Sequence, residues 1–174
     1  QTLLSGKPID IERRTATGML QAFMEKLEKR RRKDLIKERT VKVDGERKLN
    51  VDNEKVVSIL PEQKTMVEQM VMEWQQQHPN PFFKRICDVG IRVTGTASLG
   101  LERYVLLVES PNEKLYLLDL KEARHSILSP HIQLPQPLWE TEAQRIAEIQ
   151  KRVNNVLPTL LNPIANGTKS YILK

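Results

Sequence analysis

The sequence predicts an α+β fold, with helices packed on antiparallel sheet. Three observations carry that reading. Several segments place apolar residues three and four apart, the spacing of a helix with one buried face. Other segments alternate apolar and polar residues and are bounded by Gly, Pro, Asn and Asp. Residues 88–121 read as three consecutive antiparallel strands, a meander whose first turn is glycine-rich and whose third strand ends on Lys121. The 174 residues suit one domain or two small subdomains. Residues 1–80 hold a helix, an Asp-Gly hairpin and a second helix. Residues 81–174 hold the meander, a third helix and a terminal strand.

The first helix is expected from about Pro8, which suits a first turn, with Asp10 favouring that end. It runs to the region of Arg30 and Arg32 and on through Leu35 and Ile36. Leu20, Phe23, Met24 and Leu27 form its buried face. Residues 40–43 then alternate, Asp44-Gly45 signals a tight hairpin turn, and residues 48–51 return. Residues 56–60 add a short extended piece. Pro61 opens the second helix, whose stripe of Met66, Val67, Met70, Val71 and Trp74 is core. Pro79 and Pro81 end it.

The meander strands are expected at residues 86–94, 102–109 and 115–121. Tyr104, Leu106 and Val108 face one way and Val105 and Leu107 the other, so the middle strand is covered on both sides. Pro130, Pro135 and Pro137 mark a loop. The third helix opens on a capping box of Thr141 and Gln144, buries Ile146, Ile149 and Val153, and stops at Pro158. Residues 170–174 look like a strand.

Composition narrows the setting. Apolar content of 39% and charge of 29% fit a soluble globular protein. The lone Cys87 cannot form an internal disulfide, which points to a reducing compartment, and we expect the cytoplasm. No apolar run approaches the roughly 20 residues of a membrane helix, so no membrane partner is expected. The chain begins at Gln1 and ends in a strand-like segment, as a piece excised from a longer protein would. Residues 26–42 hold nine basic residues and three acids, which equals the whole net charge of +6. Such a run can contact phosphates or acidic partners. Its commoner use is a solvated helix end, so nucleic acid is not the expected partner.

The turn at residues 95–100 is the first place where chemistry could reside. It is not a P-loop, because Leu101-Glu102 stands where Lys-Ser/Thr is required. It is not a dinucleotide fingerprint, because a strand follows it rather than a helix. A glycine turn between antiparallel strands is how protein kinases cover nucleotide phosphates, and glycine lets backbone N–H groups approach an anion. Gly95, Ser98 and Gly100 are the candidate phosphate-covering residues. Lys121, on the pleat face of Leu117 and Asp119, is the candidate phosphate lysine. Glu148 of the third helix is its candidate partner, with Glu122 the rival. His78, His125 and His131 lack metal-ligand spacing with one another or with Cys87, so no metal site is expected. Cys87 reads as a buried, inert thiol.

These residues also carry a family resemblance. Asp88-Val89, the run from Val93 to Gly100, Tyr104-Val105, Leu120-Lys121-Glu122-Ala123 with Ser126, and Gln144 to Gln150 together resemble the bacterial domain-of-unknown-function 2252 family. The match in order and spacing runs from about Cys87 to Lys174, and the first half resembles the family only loosely. The resemblance implies kinase-like, aminoglycoside-phosphotransferase-like relatives whose catalytic motifs lie N-terminal to this region. It makes the chain the equivalent of a kinase small lobe, with ATP and Mg as cofactors of the full-length parent. Its partners would be the nucleotide and the remainder of the parent chain. Two residues depart from the family pattern. Ala97 stands where a second glycine is usual, and Glu102 adds negative charge beside the turn; both are expected to weaken nucleotide affinity.

The chain shows no candidate base and no metal-binding aspartate motif, so alone it is expected to be inactive. Two rival readings remain. One is a non-enzymatic binding module that uses the basic segment 26–42. The other is a structural lobe of a pseudoenzyme.

Overall fold

A computed structural model describes residues 11–28, 31–51, 55–78, 83–93, 95, 100–154 and 156–174. Pro8, Asp10, Lys29, Arg30, Thr96, Ala97 and Ser98 lie outside the described residues. The chain divides into two compact units, Gln1–Arg39 and Thr40–Lys174.

In the first unit a 3-10 turn, Arg13–Thr15, precedes helix α1, Gly18–Glu28, and a separate helix α2, Arg32–Arg39. The single long helix expected from the sequence is therefore two. The expected apolar face of α1 is also not buried: Phe23 is 57% exposed, and Leu20 and Leu27 are open as well. The spacing is helical, as read, yet helical spacing alone does not supply a covering surface.

The second unit is an α+β structure. Strands β1, Thr40–Val43, and β2, Glu46–Leu49, form a two-stranded hairpin. Its turn is the Asp-Gly pair read from the sequence, with φ of 50° at Asp44 and 83° at Gly45. Positive φ at both central residues matches the right-handed twist of the flanking strands. The main sheet has six antiparallel strands: β3, Val56–Val57; β4, Arg85–Arg92; β5, Arg103–Glu109; β6, Leu115–Ala123; β7, Asn162–Asn166; and β8, Lys169–Leu173. Their spatial order is β3-β4-β5-β6-β8-β7. The meander is β4-β5-β6, as the sequence predicts. Its third strand runs two residues past Lys121 because Glu122 and Ala123 continue the ladder with Tyr171 and Ser170.

Helix α3, Pro61–Gln77, carries the predicted stripe. Val67, Met70, Val71 and Trp74 are buried and Met66 packs at the edge of the cluster. The helix touches both β4 and β7, the second and last strands of the sheet, so the sheet curls around it. Tyr104, Leu106, Val108, Leu118, Leu120, Tyr171 and Leu173 fill that face. Each buried aliphatic side chain there contributes about 1.5–3 kcal/mol of hydrophobic stabilisation. Hydrogen bonding fixes the depth at which this layer meets the hairpin. Asp88 of β4 accepts the Leu49 N–H at 2.9 Å and the Lys64 ammonium at 2.7 Å, joining hairpin, strand and helix.

Helix α4, Glu142–Val153, covers the opposite face of the sheet at β6, β7 and β8. The Thr141 hydroxyl accepts the Gln144 N–H at 3.1 Å, and the Gln144 side chain accepts the Glu140 N–H at 2.8 Å. The capping read is therefore correct, but the buried face is not the expected one. Ala143 and Ala147 are fully buried against Ala123, Leu161 and Ile172, with Ile146 packed beside them. Ile149 is 42% exposed and Val153 72%. Small residues let the helix backbone approach the sheet closely, and the larger apolar residues turn outward. The helix ends at Val153, before Pro158. Strand β7 was not foreseen; its Pro163 is tolerated because β7 is the sheet edge.

Candidate functional site

Strand alternation decides which side chains meet where the glycine turn joins β4 to β5. Arg103 stands opposite Lys121, and Val105 stands opposite both Gly90 and Asp119. Counting by twos along each strand puts Arg92, Arg103, Asp119 and Lys121 on one face, at the end of the sheet that bears the turn. Ile172, in register with Lys121, belongs to the face that α4 covers.

Asp119 organises this face. Its side chain is only 9% exposed. Arg103 donates to it through Nε and Nη2, each at 2.8 Å, and Arg92 donates through Nη1 at 2.9 Å. A bidentate guanidinium–carboxylate pair fixes orientation as well as charge. With Lys121 beside Arg103, three cations stand against one carboxylate, so the face is net positive. Such a face suits a polyanion. The sequence reading named Lys121 and missed both arginines, which need the strand register to be placed. The β4–β5 register slips between Ile86 and Asp88, so the place of Arg92 against β5 cannot be counted from sequence alone, while β5 pairs with β6 without a slip.

The glycines contribute differently. Gly100 has φ of 75°, a left-handed conformation that side chains resist. Gly95 is not left-handed, and a Cβ there would meet nothing within 4 Å. Ser98 lies outside the described residues.

The structure does not join Glu148 to Lys121. Glu148 accepts from the Lys151 ammonium at 2.6 Å, one turn along its own helix. Glu122 is no partner either, because alternation turns it to the opposite face. There it is buried, accepting the Glu102 N–H at 2.8 Å and Arg124 Nε at 2.8 Å. Glu102 shares that opposite face and accepts from the Tyr171 hydroxyl at 2.6 Å and the Lys169 ammonium at 2.5 Å. Burial alone would raise the Glu102 carboxyl, yet the bonds from Lys169 and Tyr171 hold it below its ordinary range. The negative charge expected beside the turn is thus turned away from Lys121 and neutralised. Burial first, and the Glu102 carboxylate second, push the Tyr104 hydroxyl up to about 12.

An open cleft of roughly 840 Å³ lies at the same end of the sheet, lined in part by Arg124, His125, Trp139 and Glu142. Its Glu142 carboxylate is already engaged: His125 Nδ1 lies 2.8 Å and Arg145 Nε 2.7 Å from it. Cys87 is half-buried, and that burial pushes its thiol up, which suits an inert thiol. Among the described residues no cluster of histidine, cysteine and acidic side chains could hold a metal ion. No helix among them is long and apolar enough to cross a membrane.

Residues 7–174 match the model of the family described as uncharacterized protein conserved in bacteria (DUF2252). The match covers the first half of the chain as well as the meander. Neither a curated protein nor a solved structure matches the chain.

Proposed function

We propose, on the premise that the chain belongs to this bacterial DUF2252 family, that it supplies the nucleotide-binding lobe of a kinase-like phosphotransferase. One observation carries the reading: Arg92, Arg103 and Lys121 share a face beside a glycine turn between antiparallel strands. Protein kinases use a glycine-rich turn and a third-strand lysine to hold nucleotide phosphates, and catalysis there is mostly positioning and charge stabilisation. In this chain Lys121 is assigned to phosphate. Gly95, Ser98 and Gly100 are assigned to the covering turn. Glu148 is assigned to hold Lys121 once it gives up Lys151.

The positive face suits a triphosphate, and its one carboxylate among the described residues, Asp119, is already engaged by Arg92 and Arg103. ATP with Mg would therefore meet its metal ligands and its general base on the rest of the parent chain. When bound, the nucleotide supplies the transferable phosphoryl group; this chain's residues bind and orient it.

The test is equilibrium binding of a magnesium–ATP analogue to the full-length parent, wild type against Lys121→Ala and Arg103→Ala. Loss of a contact to a charged group is worth about 1.5–3 kcal/mol, so affinity should fall about 10–100-fold. Unchanged affinity in both variants sinks the reading. Binding of acidic polymers that charge reversal at Arg31 and Arg32 abolishes, with Lys121 irrelevant, would favour the binding-module reading instead.

A further inference from the structure

We infer that Arg92 is an exchangeable phosphate-binding residue: it gives up its bond to Asp119 for a phosphate group of the ligand, while Arg103 stays on Asp119 and keeps that carboxylate paired. This deepens the nucleotide reading and rests on it for the identity of the ligand. The difference between the two arginines rests on the positive face alone.

Arg103 and Arg92 hold Asp119 on unequal terms. Arg103 covers both carboxylate oxygens: its Nε donates to Oδ1 at 2.8 Å and to Oδ2 at 3.1 Å, and its Nη2 donates to Oδ2 at 2.8 Å. Arg92, the last residue of β4, makes one bond among the described residues, Nη1 to Oδ1 at 2.9 Å, and shares that oxygen with Arg103. The Arg92 side chain is 43% exposed and that of Arg103 18%.

One carboxylate neutralises one cation. Arg103 already supplies it, through a pair that water hardly reaches, so the Arg92 guanidinium is in excess and repelled by its neighbour. An exposed pair of this kind holds weakly. Its loss leaves Asp119 with a bidentate partner, whereas loss of Arg103 strands a buried carboxylate. Arg92 is thus the arginine that the face can release. A phosphate group carries more negative charge than a carboxylate that is already paired, which favours the exchange once ligand arrives. The guanidinium fork matches two oxygens of one phosphate group, and Lys121 adds a compact point charge. Arg103 stands opposite Lys121, and Arg92 follows Ile91, the partner of Tyr104. The backbones of Arg92 and Lys121 are therefore two strand spacings apart, about 10 Å, and both side chains are long enough to close on one anion.

The test is equilibrium binding of two probes to the full-length parent, a magnesium–ATP analogue and inorganic tripolyphosphate, with urea unfolding of the same variants. Arg92→Ala should weaken both probes about tenfold, as loss of one contact to a charged group does, and leave the urea midpoint close to that of the wild type. Arg92→Lys keeps the charge without the fork and should bind more like Arg92→Ala than like the wild type. Arg103→Ala should lower the midpoint as well as the affinity. Full affinity in Arg92→Ala, where Lys121→Ala loses it, overturns the exchange and leaves the nucleotide reading standing. A midpoint that falls as far in Arg92→Ala as in Arg103→Ala also overturns it, because Arg92 would then be a structural partner of Asp119. Full affinity in Arg92→Lys overturns the bidentate hold on phosphate. Tripolyphosphate bound through Arg92 without the ATP analogue supports the exchange and removes the nucleotide reading. A wild type that binds neither probe overturns both.

Discussion

Replacing Asp119 with Asn removes the charge that organises the positive face while keeping the side chain's shape. The carboxylate is 9% exposed and Arg103 18%, so this arm of the cluster is close to fully buried. Stranding one partner of a buried pair costs about 3–5 kcal/mol. The Arg92 arm is different: Arg92 is 43% exposed, and water can take over its bond. Exposed pairs are worth about 0–1 kcal/mol, so that arm adds little. Arg103 can relax partly towards solvent, which places the expected loss near the lower bound, about 3 kcal/mol. Urea unfolding followed by tryptophan fluorescence is the assay. Both tryptophans, Trp74 and Trp139, lie in the unit Thr40–Lys174, so the signal reports the unit that holds the cluster. With a slope of about 2 kcal/mol per molar urea, the midpoint should drop by about 1.5 M. Arg92→Ala should shift it far less. A loss within about 0.5 kcal/mol for Asp119→Asn, the range of ordinary surface changes, would refute the claim that this carboxylate holds the face together.

Gly90 and the acids Glu102 and Glu122 yield two further predictions. A Cβ on Gly90 would stand 2.7 Å from Val56 Cγ1 and 3.2 Å from Leu49 Cδ1, so Gly90→Ala should cost about 1–3 kcal/mol by overpacking. Adding Val56→Ala should recover part of the loss, and a neutral single variant would contradict the close approach. Glu102 and Glu122 both have folded values below the ordinary range: burial opposes this, and the bonds from Lys169 and Tyr171, and from Arg124, override it. Groups depressed on folding stabilise above their unfolded value, about 4.3 for Glu, and that stabilisation is lost as pH falls through the folded value. Glu102→Gln should therefore flatten the fall of the urea midpoint below about pH 4.5. An unaltered acid profile would mean that Glu102 does not hold its charge.

What could be read from the sequence followed from how local each determinant is. The α3 stripe and the Asp44-Gly45 turn are short-range patterns with one solution, and both are present as read. The α4 face misled because size was taken for burial. Ala143 and Ala147 decide the helix rotation, since only they allow close approach to Ile172. With that rotation Glu148 accepts from Lys151. The α1 stripe misled for the complementary reason: a periodic apolar face does not reveal what covers it. At the site, alternation within one strand already grouped Asp119 with Lys121. Adding Arg103 required the β5–β6 register, and adding Arg92 the β4–β5 register, which the irregularity between Ile86 and Asp88 conceals. Glu102 looked like a liability because its charge was legible and its face was not. Counting from Tyr104, which is buried with the α3 core, would have placed it opposite Arg103.

The central claim is that Lys121 holds nucleotide phosphate, and labelling tests it most directly. An ATP acyl-phosphate probe transfers its acyl group to a lysine lying at the phosphates, and peptide mapping then identifies that lysine. With the full-length parent we predict that Lys121 is labelled and that excess magnesium–ATP protects it. Labelling spread over the basic segment 26–42, or labelling of Lys121 that ATP does not suppress, would contradict the account.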